Sequence, residues 1–364
     1  MQPKLSVIIP ILNESDSIEP LIKAIHSALS GFVSPYEIIF VDDGSTDGSR
    51  EKLEHVSNAD TRVKKLLRSG AKSLSQSVID GFAISQGEVL VVMDGDLQHH
   101  PKYIPSLYQS CLSSDGVSVA SRYVKDGRGF IKNTSRDLVS RFCTLLVQIV
   151  LGVNVSDPMT GYFAVRRDTL DKVVSRLSGV GYKILLEIIF YSSRDMKNHF
   201  HVGEIPFLFS ERKSGSSKAS VKIFFQFMCQ VLALFLRLSS VEFVGFCIVG
   251  TIGVGVHLIV LHAALSLGVT FDLANIMALL TAATHNYLLN LYFTFSDIRD
   301  MPKTNFSGWM LYLLAAGTGM VANTSIASSI HDAVGLVSLA SISGIIVGIV
   351  WNYSASRFLL RQKS

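Results

Sequence analysis

Charged residues are scarce in this sequence, and cysteine and tryptophan are scarcer. Charged side chains make up 17% of its 364 residues, against about 25% in typical soluble proteins. The last third of the chain is nearly bare of charge, and the mean hydropathy of the whole chain is +0.38. This imbalance predicts a soluble domain followed by a membrane domain, in a chain long enough for two domains.

The wide spacing of the cysteines and the absence of a long basic run argue against three features: a zinc site, a disulfide framework and a nucleic-acid partner. The four cysteines, Cys111, Cys143, Cys229 and Cys247, lie far apart and form no CxxC pair, so neither a zinc site nor a disulfide framework is expected. Such thiols suit a reducing, cytoplasmic environment for the soluble part. A net charge of +4 without a long basic run does not indicate nucleic-acid binding. No basic region precedes an apolar core at the N-terminus, so no signal peptide is expected.

The first third alternates short apolar runs with amphipathic stretches. Ile18, Leu21, Ile22, Ile25 and Leu29 recur at helical spacing and share one face. The pattern predicts strands at 5–9, 37–41, 63–67 and 89–93, and helices at 15–29, 46–56 and 74–85, the second with Thr46 or Asp47 as N-cap. Such alternation is typical of an α/β domain with a mostly parallel sheet and helices on both faces.

Three of these strands end in polar clusters. The clusters are residues 10–14, 42–45 and 94–98. Ligands of parallel sheets bind at the carboxyl ends of the strands, so we expect a binding site at this edge.

Four apolar stretches follow residue 240, each long enough to cross a bilayer. They are residues 243–267, 273–295, 309–330 and 336–359. Lys and Arg occur in the second connection and the tail but not in the first or third connection, which predicts four spans with both termini and the soluble domain in the cytoplasm. Residues 218–238 are apolar between charged ends, which favours one or two helices lying in the membrane interface over a fifth span.

Asp94 and Asp96 stand two residues apart after a predicted strand, with Gln98 beside them. Such oxygen ligands suit Mg²⁺ or Mn²⁺ shared with substrate phosphates. A solvated turn explains the pair equally well when it is taken alone. The run from Asp42 to Gly48 leaves the same choice between a nucleoside-binding loop and a glycine turn.

Read together, these blocks resemble the family 2 glycosyltransferases, and most closely the dolichyl-phosphate mannose synthases and related polyprenyl-phosphate hexosyltransferases. The resemblance rests on residues 6–14, 41–48 and 93–101, continues through 121–123, 157–163, 183–187 and 204–218, and extends to a GtrA-like membrane domain at 286–295 and 351–353. It implies a GT-A-type domain at 1–217, interfacial helices at 218–239 and a four-helix transmembrane domain at 240–364.

The resemblance also implies roles for individual residues. Nucleotide-sugar binding would fall to Pro10, Leu12, Glu14, Val41, Asp43, Asp94, Gly95, Asp96, Gln98, Arg122, Lys183, Arg212 and Lys218. The metal ligands would be Asp94, Asp96 and Gln98, the lipid phosphate would meet Arg136 and Ser140, and the catalytic residues would be Asp96, Arg122 and Arg136. Leu12 replaces a frequent aromatic residue, Gly95 a frequent alanine, and Ser73-Leu74-Ser75 a usual glycine-leucine-glycine.

The implied reaction is metal-dependent, inverting transfer of a hexose to a dolichyl or polyprenyl phosphate in a lipid bilayer. The run from Gln98 to Lys102 favours GDP-mannose as donor, with UDP-glucose as the alternative. A processive polysaccharide synthase is disfavoured, because both tryptophans, Trp309 and Trp351, lie in the membrane part and a Gln-x-x-Arg-Trp block is absent. A lipid flippase or scaffold with a vestigial soluble domain stays open, as does assembly into a homo-oligomer.

Overall fold

The computed structural model describes residues 3–70, 72–124, 134–180, 183–196, 200–208, 221–238, 240–295, 306–334, 347 and 349–359; at 134–138, 272, 275, 320–328 and 330–334 it describes the backbone alone. The chain divides into two compact units. The first is Met1–Ala219 with Val231–Ser239, and the second is Ser220–Gln230 with Ser240–Ser364.

The first unit is built on a seven-stranded sheet. Its strands are β1 (Leu5–Ile11), β2 (Tyr36–Asp42), β3 (Val63–Leu67), β4 (Val89–Val92), β5 (Val117–Ser121), β6 (Phe163–Arg166) and β7 (Gly203–Pro206). The helices between them are α1 (Ile18–Leu29), α2 (Ser49–Ala59), α3 (Leu74–Ile84), α4 (Ile104–Ser113), α5 (Thr134–Leu151), α6 (Arg167–Val173) and α7 (Ile184–Asp195). The expected strands and helices of the first third are therefore confirmed, within a few residues at their ends.

One strand of this described sheet runs against the others. The order is β3-β2-β1-β4-β6-β5-β7, and β6 pairs antiparallel with both β4 and β5, whereas the remaining neighbours pair in parallel. The mostly parallel sheet is confirmed. Because β6 is reversed, the chain that leads into it arrives at the edge where β4 and β5 end.

Helices cover both faces of the sheet, as predicted. Val7 and Ile9 of β1 share one buried apolar cluster with Ile25 of α1 and Leu107 of α4. The intervening Ile8 points to the other face, where α3 packs so closely that a Cβ on Gly81 would lie 2.6 Å from Ile8 Cγ2. Successive side chains of a strand point to opposite faces, so both apolar layers come from the same strands.

The predicted start of the second helix was wrong. The structure begins α2 at Ser49, with Gly48 as N-cap at φ 88° and no side-chain cap. Neither Thr46 nor Asp47 caps it, because the left-handed Gly48 turns the chain first. The Asp47 carboxylate still accepts a hydrogen bond from the Ser49 N–H at 3.1 Å.

The second unit is helical in its described residues. After α8 (Val221–Phe235), which the two units share, it contains α9 (Val241–Ser266), α10 (Phe271–Leu289), a π-helical segment (Asn290–Thr294), α11 (Phe306–Val334) and α12 (349–359). Within the described ranges, α9 is the one helix that is long and apolar enough to cross a membrane, with a mean hydropathy of 2.3 over its most apolar stretch. Its 26 residues extend about 39 Å, more than the roughly 30 Å hydrocarbon core.

Polar and aromatic side chains join the helices of this unit. Tyr287, Leu291, Phe295 and Tyr312 form a buried cluster. A Cβ on Gly253 would lie 2.3 Å from Asn286 Oδ1, so the glycine admits the amide between α9 and α10. Small residues at such crossings let helix backbones approach closely.

Three histidines lie in the predicted spans, and their surroundings differ. His257 lines a cavity of about 660 Å³ within the unit. His262 Nδ1 lies 2.8 Å from the Leu258 carbonyl of its own helix, and His285 Nδ1 lies 3.4 Å from Asn286 Oδ1. The last two contacts agree with hydrogen bonding within the helices.

Candidate active site

The predicted polar strand ends meet at one edge of the sheet. β1 lies between β2 and β4, with Ile11 opposite Asp42 and Ile8 opposite Val92. The loop after β4 packs against the end of β1, since a Cβ on Gly95 would lie 2.6 Å from Ile11 Cγ2. Glycine at this position therefore allows the Asp94–Gln98 loop to approach the Pro10–Glu14 loop.

Reciprocal hydrogen bonds join the loops after β1 and β2. The Asn13 N–H donates to Ser45 Oγ at 2.9 Å, and the Thr46 N–H donates to Asn13 Oδ1 at 2.8 Å. Asn13 has a φ of 56°, a left-handed conformation that asparagine tolerates better than most residues. These contacts hold the loop after β1, in which Leu12 and Glu14 are partly exposed, against the loop after β2.

The first carboxylate pair, Asp42 and Asp43, is buried and held by arginines. Asp42 Oδ1 accepts from Arg50 Nε at 2.7 Å and from the Gly44 N–H at 3.2 Å. Asp43 Oδ1 accepts from Arg68 Nη1. With Pro10 and Val41 also buried, the expected nucleoside-binding residues form a compact floor at the ends of β1 and β2.

A second acidic residue fixes Arg68. Its Nε donates to Asp80 Oδ2 of α3 at 2.7 Å, and its Nη1 also reaches Ser77 Oγ at 3.2 Å. The guanidinium thus ties the end of β2 to α3 through a planar array of donors, a geometry that lysine does not supply.

Asp47 lies in the loop after β2, and its surroundings favour the ionised form of its carboxyl. Burial alone would raise the pKa of its carboxyl, but hydrogen bonds from the Ser49 hydroxyl and from the Ser15 and Ser49 N–H groups outweigh burial and lower the pKa below its ordinary value of 3.8. The ionised carboxylate therefore helps to join the loops after β1 and β2.

The second carboxylate pair, Asp94 and Asp96, is more open. The Asp94 side chain is 41% exposed, and Asp96 and Gln98 are partly exposed. The loop is shaped locally by Leu97 at φ 63° and by the Gln98 N–H, which donates to Asp96 Oδ1 at 3.1 Å.

A buried histidine, His99, holds the backbone of Asp94. The Asp94 N–H donates to His99 Nδ1 at 2.9 Å, so this nitrogen carries no proton in that contact. The imidazole stacks on Tyr162 with ring centroids 5.0 Å apart and meets the edge of Phe207 at 5.6 Å. On the other side a Cβ on Gly161 would lie 3.3 Å from Asp94 Oδ2. The packed histidine therefore holds the Asp94 backbone, and glycine at 161 leaves room for the Asp94 carboxylate.

The residues of this loop fit a divalent cation whose remaining ligands come from elsewhere. Among the described residues no group of three or more His, Cys, Asp or Glu side chains could enclose a metal. Two solvent-accessible carboxylates and an amide suit Mg²⁺ or Mn²⁺ that completes its shell with phosphate oxygens and water. The donor set therefore agrees with a metal bound together with a diphosphate.

Arg122 follows β5 and is held by a carboxylate that precedes β6. Its Nε and Nη2 donate to the two oxygens of Asp157 at 2.8 and 3.0 Å, and Asp157 is fully buried. The guanidinium also lies 5.3 Å from the centroid of Tyr123, whose hydroxyl donates to Ser140 Oγ at 2.8 Å. Ser140 and Arg122 are thus connected through a single tyrosine.

Lys183 lies among these charges. Its Nζ donates to the Met159 carbonyl oxygen at 2.8 Å. Burial and the nearby Arg122 charge lower the pKa of Lys183, while Asp157 and Asp94 act in the opposite direction. Lys183 therefore lies near Asp94 in the loop after β4 and near Arg122 after β5.

Three predicted phosphate-binding side chains fall outside this description. Arg136 lies in α5, but its side chain is outside the described residues, as are Arg212 and Lys218 altogether.

Sequence reasoning missed four supporting residues: Arg68, His99, Tyr162 and Asp157. Arg68 follows β3 directly, so the strand-end rule that selected the other loops also applies to it. His99 and Tyr162 meet across 63 positions of sequence, and Asp157 meets Arg122 across 35. Only the fold reveals such contacts.

Comparisons with known proteins agree with this geometry. Residues 6–174 match the model for glycosyl transferase family 2, and residues 245–360 match the GtrA/DPMS transmembrane domain. The family 2 match and the mostly parallel sheet identify a GT-A-like fold, and the second match indicates association with a membrane. A solved glucosyl-3-phosphoglycerate synthase from Mycobacterium tuberculosis is 18% identical, with a TM-score of 0.48 over 64% of this chain and 80% of that chain. A similarity this distant does not indicate a function.

Two curated relatives decide the family. The dolichol-phosphate mannosyltransferase of Saccharomyces cerevisiae is 32% identical over 65% of this chain and 88% of its own length. The dolichol-phosphate mannosyltransferase of Pyrococcus furiosus is 35% identical over 323 residues, 88% of each chain. The chain therefore belongs to the dolichol-phosphate mannosyltransferase family and is a glycosyltransferase.

Proposed function

We propose that this protein transfers mannose from GDP-mannose to a dolichyl or other polyprenyl phosphate and inverts the anomeric centre. The observation that carries the proposal is the 35% identity to a dolichol-phosphate mannosyltransferase along 88% of both chains. In this proposal each reactant binds at the polar edge of the sheet.

The nucleoside binds at the ends of β1 and β2 in this proposal. Pro10, Leu12 and Glu14 line one side, and Val41 and Asp43 line the other. Support comes from the cross-loop hydrogen bonds of Asn13 and from the arginine that holds Asp43. A preorganised loop loses less conformational freedom when it binds its ligand.

The diphosphate binds at the loop after β4, where Asp94, Asp96 and Gln98 would hold Mg²⁺ or Mn²⁺. When bound, the cation stabilises the negative charge of the departing diphosphate. His99 holds the Asp94 backbone, Gly161 leaves room for the Asp94 carboxylate, and Gly95 allows this loop to approach the end of β1. Lys183 adds a positive charge beside this loop.

The acceptor phosphate meets Arg136 and Ser140 in this scheme, while Arg122, Arg212 and Lys218 supply positive charge to the phosphates of the nucleotide sugar. An oxygen of the lipid phosphate attacks the anomeric carbon; the bond from that carbon to the diphosphate breaks, and its electron pair leaves with GDP. A phosphomonoester is already anionic near neutral pH, so no side chain has to remove a proton. The protein contributes positioning and fixed charge.

The membrane part anchors the enzyme by four spans, with interfacial helices at 218–239 and both termini and the catalytic unit in the cytoplasm. The distribution of Lys and Arg among the connections supports this topology. The variants Gly268→Cys and Met301→Cys, each tested with an impermeant maleimide in sealed vesicles, should react from opposite sides. Reaction of both from one side would contradict the four-span arrangement.

The deciding experiment measures transfer of labelled sugar to a long-chain polyprenyl phosphate by the full-length protein in lipid. GDP-mannose and UDP-glucose are compared with Mg²⁺ or Mn²⁺, and Asp96→Asn is the matched control. Label from GDP-mannose alone supports the proposal. Label from UDP-glucose alone identifies a glucosyltransferase and overturns the donor assignment, whereas transfer from neither donor favours a flippase or scaffold.

A further inference from the structure

The start of α3 is bonded to a segment that lies 106 positions later in the chain. Ser73 is the N-cap of α3, and its hydroxyl accepts a hydrogen bond from the Gln76 N–H at 3.3 Å. The same hydroxyl donates to the carbonyl oxygen of Gly179 at 2.7 Å. Because a hydroxyl both donates and accepts, one serine side chain caps the helix and binds the distant segment.

The side chain of Gln76 approaches the same glycine. A Cβ on Gly179 would lie 2.2 Å from Gln76 Oε1, and the glycine has a φ of 65°. A side chain at position 179 would therefore be strained and would also collide with the glutamine. We call the approach of Ser73 and Gln76 to Gly179 the α3–Gly179 contact.

Gln76 also belongs to the group of side chains that holds Arg68. Its Nε2 donates to Asp80 Oδ1 at 2.8 Å, and Asp80 Oδ2 accepts from Arg68 Nε at 2.7 Å. Arg68 in turn donates to Asp43. A continuous series of hydrogen bonds thus leads from the end of β2 to the glutamine that lies against Gly179.

A buried glutamate holds the distant segment on its other side. Glu187 of α7 is 2% exposed. Its carboxylate accepts from the Ser178 N–H at 2.7 Å and from the Ser178 hydroxyl at 2.5 Å. Lys183, the N-cap of α7, lies four positions before Glu187. The residues that precede Lys183 in the chain are therefore bonded to α3 at Gly179 and to α7 at Ser178.

The hydroxyl at position 73 is particular to this sequence. Serine replaces the glycine that is usual at this position in the family that the sequence resembles. A glycine there would leave the Gly179 carbonyl oxygen without the donor that Ser73 provides. The contact is therefore added to the common architecture by one side chain.

We propose that Ser73 and Gln76 are positioning residues for sugar transfer, because through Gly179 they hold the start of α7 where Lys183 lies beside the diphosphate. The role rests on the proposed function, in which Lys183 adds a positive charge next to the loop after β4. Neither positioning residue contacts a reactant. A charge stabilises a leaving group only while it is held in place, so loss of the contact lowers the rate of transfer rather than the affinity for the donor.

Substitutions at Ser73 separate the contact from the helix cap. Ser73→Gly removes the donor hydroxyl, yet glycine is nearly as good an N-cap as serine, and Ser73→Thr keeps both functions. With the full-length protein in lipid, GDP-mannose and a polyprenyl phosphate, Ser73→Gly should lower kcat about tenfold and leave the donor KM within about twofold. Ser73→Thr should retain at least about half of the wild-type kcat. Ser30→Gly, at the exposed C-cap of α1, is the matched control and should change neither value. An unchanged kcat in Ser73→Gly would overturn the proposal.

A double-mutant cycle tests whether Ser73 acts through Lys183. Effects of residues that act through one another are not additive, so in a Lys183→Met background Ser73→Gly should lower kcat by less than about twofold. An equal tenfold loss in both backgrounds would reject the positioning role and leave a structural one. Gln76→Ala should in addition raise the donor KM about fivefold in both backgrounds, because Gln76 also holds Asp80 and with it Arg68.

Hydrogen exchange tests the contact without turnover. The Ser178 N–H donates to Glu187, and the Val180 N–H donates to the Ser178 hydroxyl, so their exchange reports how firmly the segment is held. Exchange at these two amides should be at least about fivefold faster in Ser73→Gly than in wild type and in Ser73→Thr. Equal rates in the three proteins would overturn the contact. If no donor supports transfer, the proposed function fails together with the role of Lys183, whereas the exchange rates decide separately whether Ser73 holds the segment.

Discussion

Two carboxylate pairs stand at the ends of β2 and β4, the strands on either side of β1 in the same sheet, yet their surroundings differ. Asp42 and Asp43 are buried and accept hydrogen bonds from Arg50 and Arg68. Asp94 and Asp96 are open to solvent, and Asp94 is shaped by a histidine nitrogen and a glycine backbone. A buried carboxylate needs a partner to keep its charge, whereas an exposed pair can offer oxygens to a cation. The first pair therefore builds the floor of the site, and the second is suited to bind a ligand.

Loss of the Asp96 carboxylate should separate activity from stability most strongly. We expect Asp96→Ala to lower transfer by roughly 10³-fold or more, because charge stabilisation of the leaving group is among the largest catalytic contributions. The thermal midpoint should move little, since the carboxylate is partly exposed. Initial rates and thermal unfolding measure the two effects, with Asp171→Ala, exposed on α6, as control. Near-normal turnover would remove Asp96 from the metal site.

Loss of the Asp42 carboxylate should have the opposite profile. Asp42→Ala leaves Arg50 and the Gly44 and Ser45 N–H groups without their acceptor. We expect the free energy of unfolding to fall by about 3 kcal/mol. This is the lower end of the range for breaking a buried ion pair, because Arg50 is partly exposed. Thermal unfolding in detergent would detect it, and Asp16→Ala at a neighbouring exposed position should be neutral. An unchanged midpoint would contradict the structural role of the first pair.

A conservative change at Arg68 should affect one ligand only. In Arg68→Lys the charge is kept, but one ammonium cannot reproduce the contacts to both Asp43 and Asp80. We expect KM for the nucleotide sugar to rise about tenfold, or about 1.4 kcal/mol, while the metal concentration for half-maximal activity stays the same. Titrations of donor and of Mn²⁺ test this. A shifted metal requirement with an unchanged KM would mean that the two pairs are not functionally separate.

The smallest expected effect is the pH dependence of the stability that comes from Asp47, in the loop after β2. Because hydrogen bonds lower the folded-state pKa of Asp47 below 3.8, the stability they contribute is fully present above that value and is lost as the pH falls through the folded-state pKa. The thermal midpoints of wild type and Asp47→Asn should therefore differ most near neutral pH and converge below about pH 4. Asp171→Asn, which removes one exposed carboxylate of α6, is the matched control variant. A difference that is constant from neutral pH to pH 3 would exclude ionised Asp47 as the source.

The sequence was sufficient for β1 to β4, for α1 to α3 and for the polar edge, because each depends on local periodicity or on the residues that end a strand. Ile18 to Leu29 showed a helical face, and the loops at 42–45 and 94–98 followed apolar runs. The predicted start of α2 was wrong because Gly48 adopts a left-handed conformation and is itself the N-cap, without a side-chain cap.

Contacts between distant segments could not be read from local pattern. The bond between Arg122 and Asp157 and the stacking of His99 on Tyr162 both depend on the reversed strand β6. No periodicity indicates that the chain after α5 returns between β4 and β5 rather than beyond them. The site could thus be located from sequence, but its supporting residues could not.

The reversed strand also sets an order in time. β5 has no direct pairing with β4, because β6 lies between them, so the free edge of β4 stays unpaired until residues 163–166 have been synthesised. About 70 residues separate Val92 from Phe163, which corresponds to roughly 4–14 s at a ribosomal rate of about 5–20 residues per second. Unpaired strand edges promote aggregation. Nascent chains halted between residues 93 and 162 should therefore be the ones that depend most on chaperones.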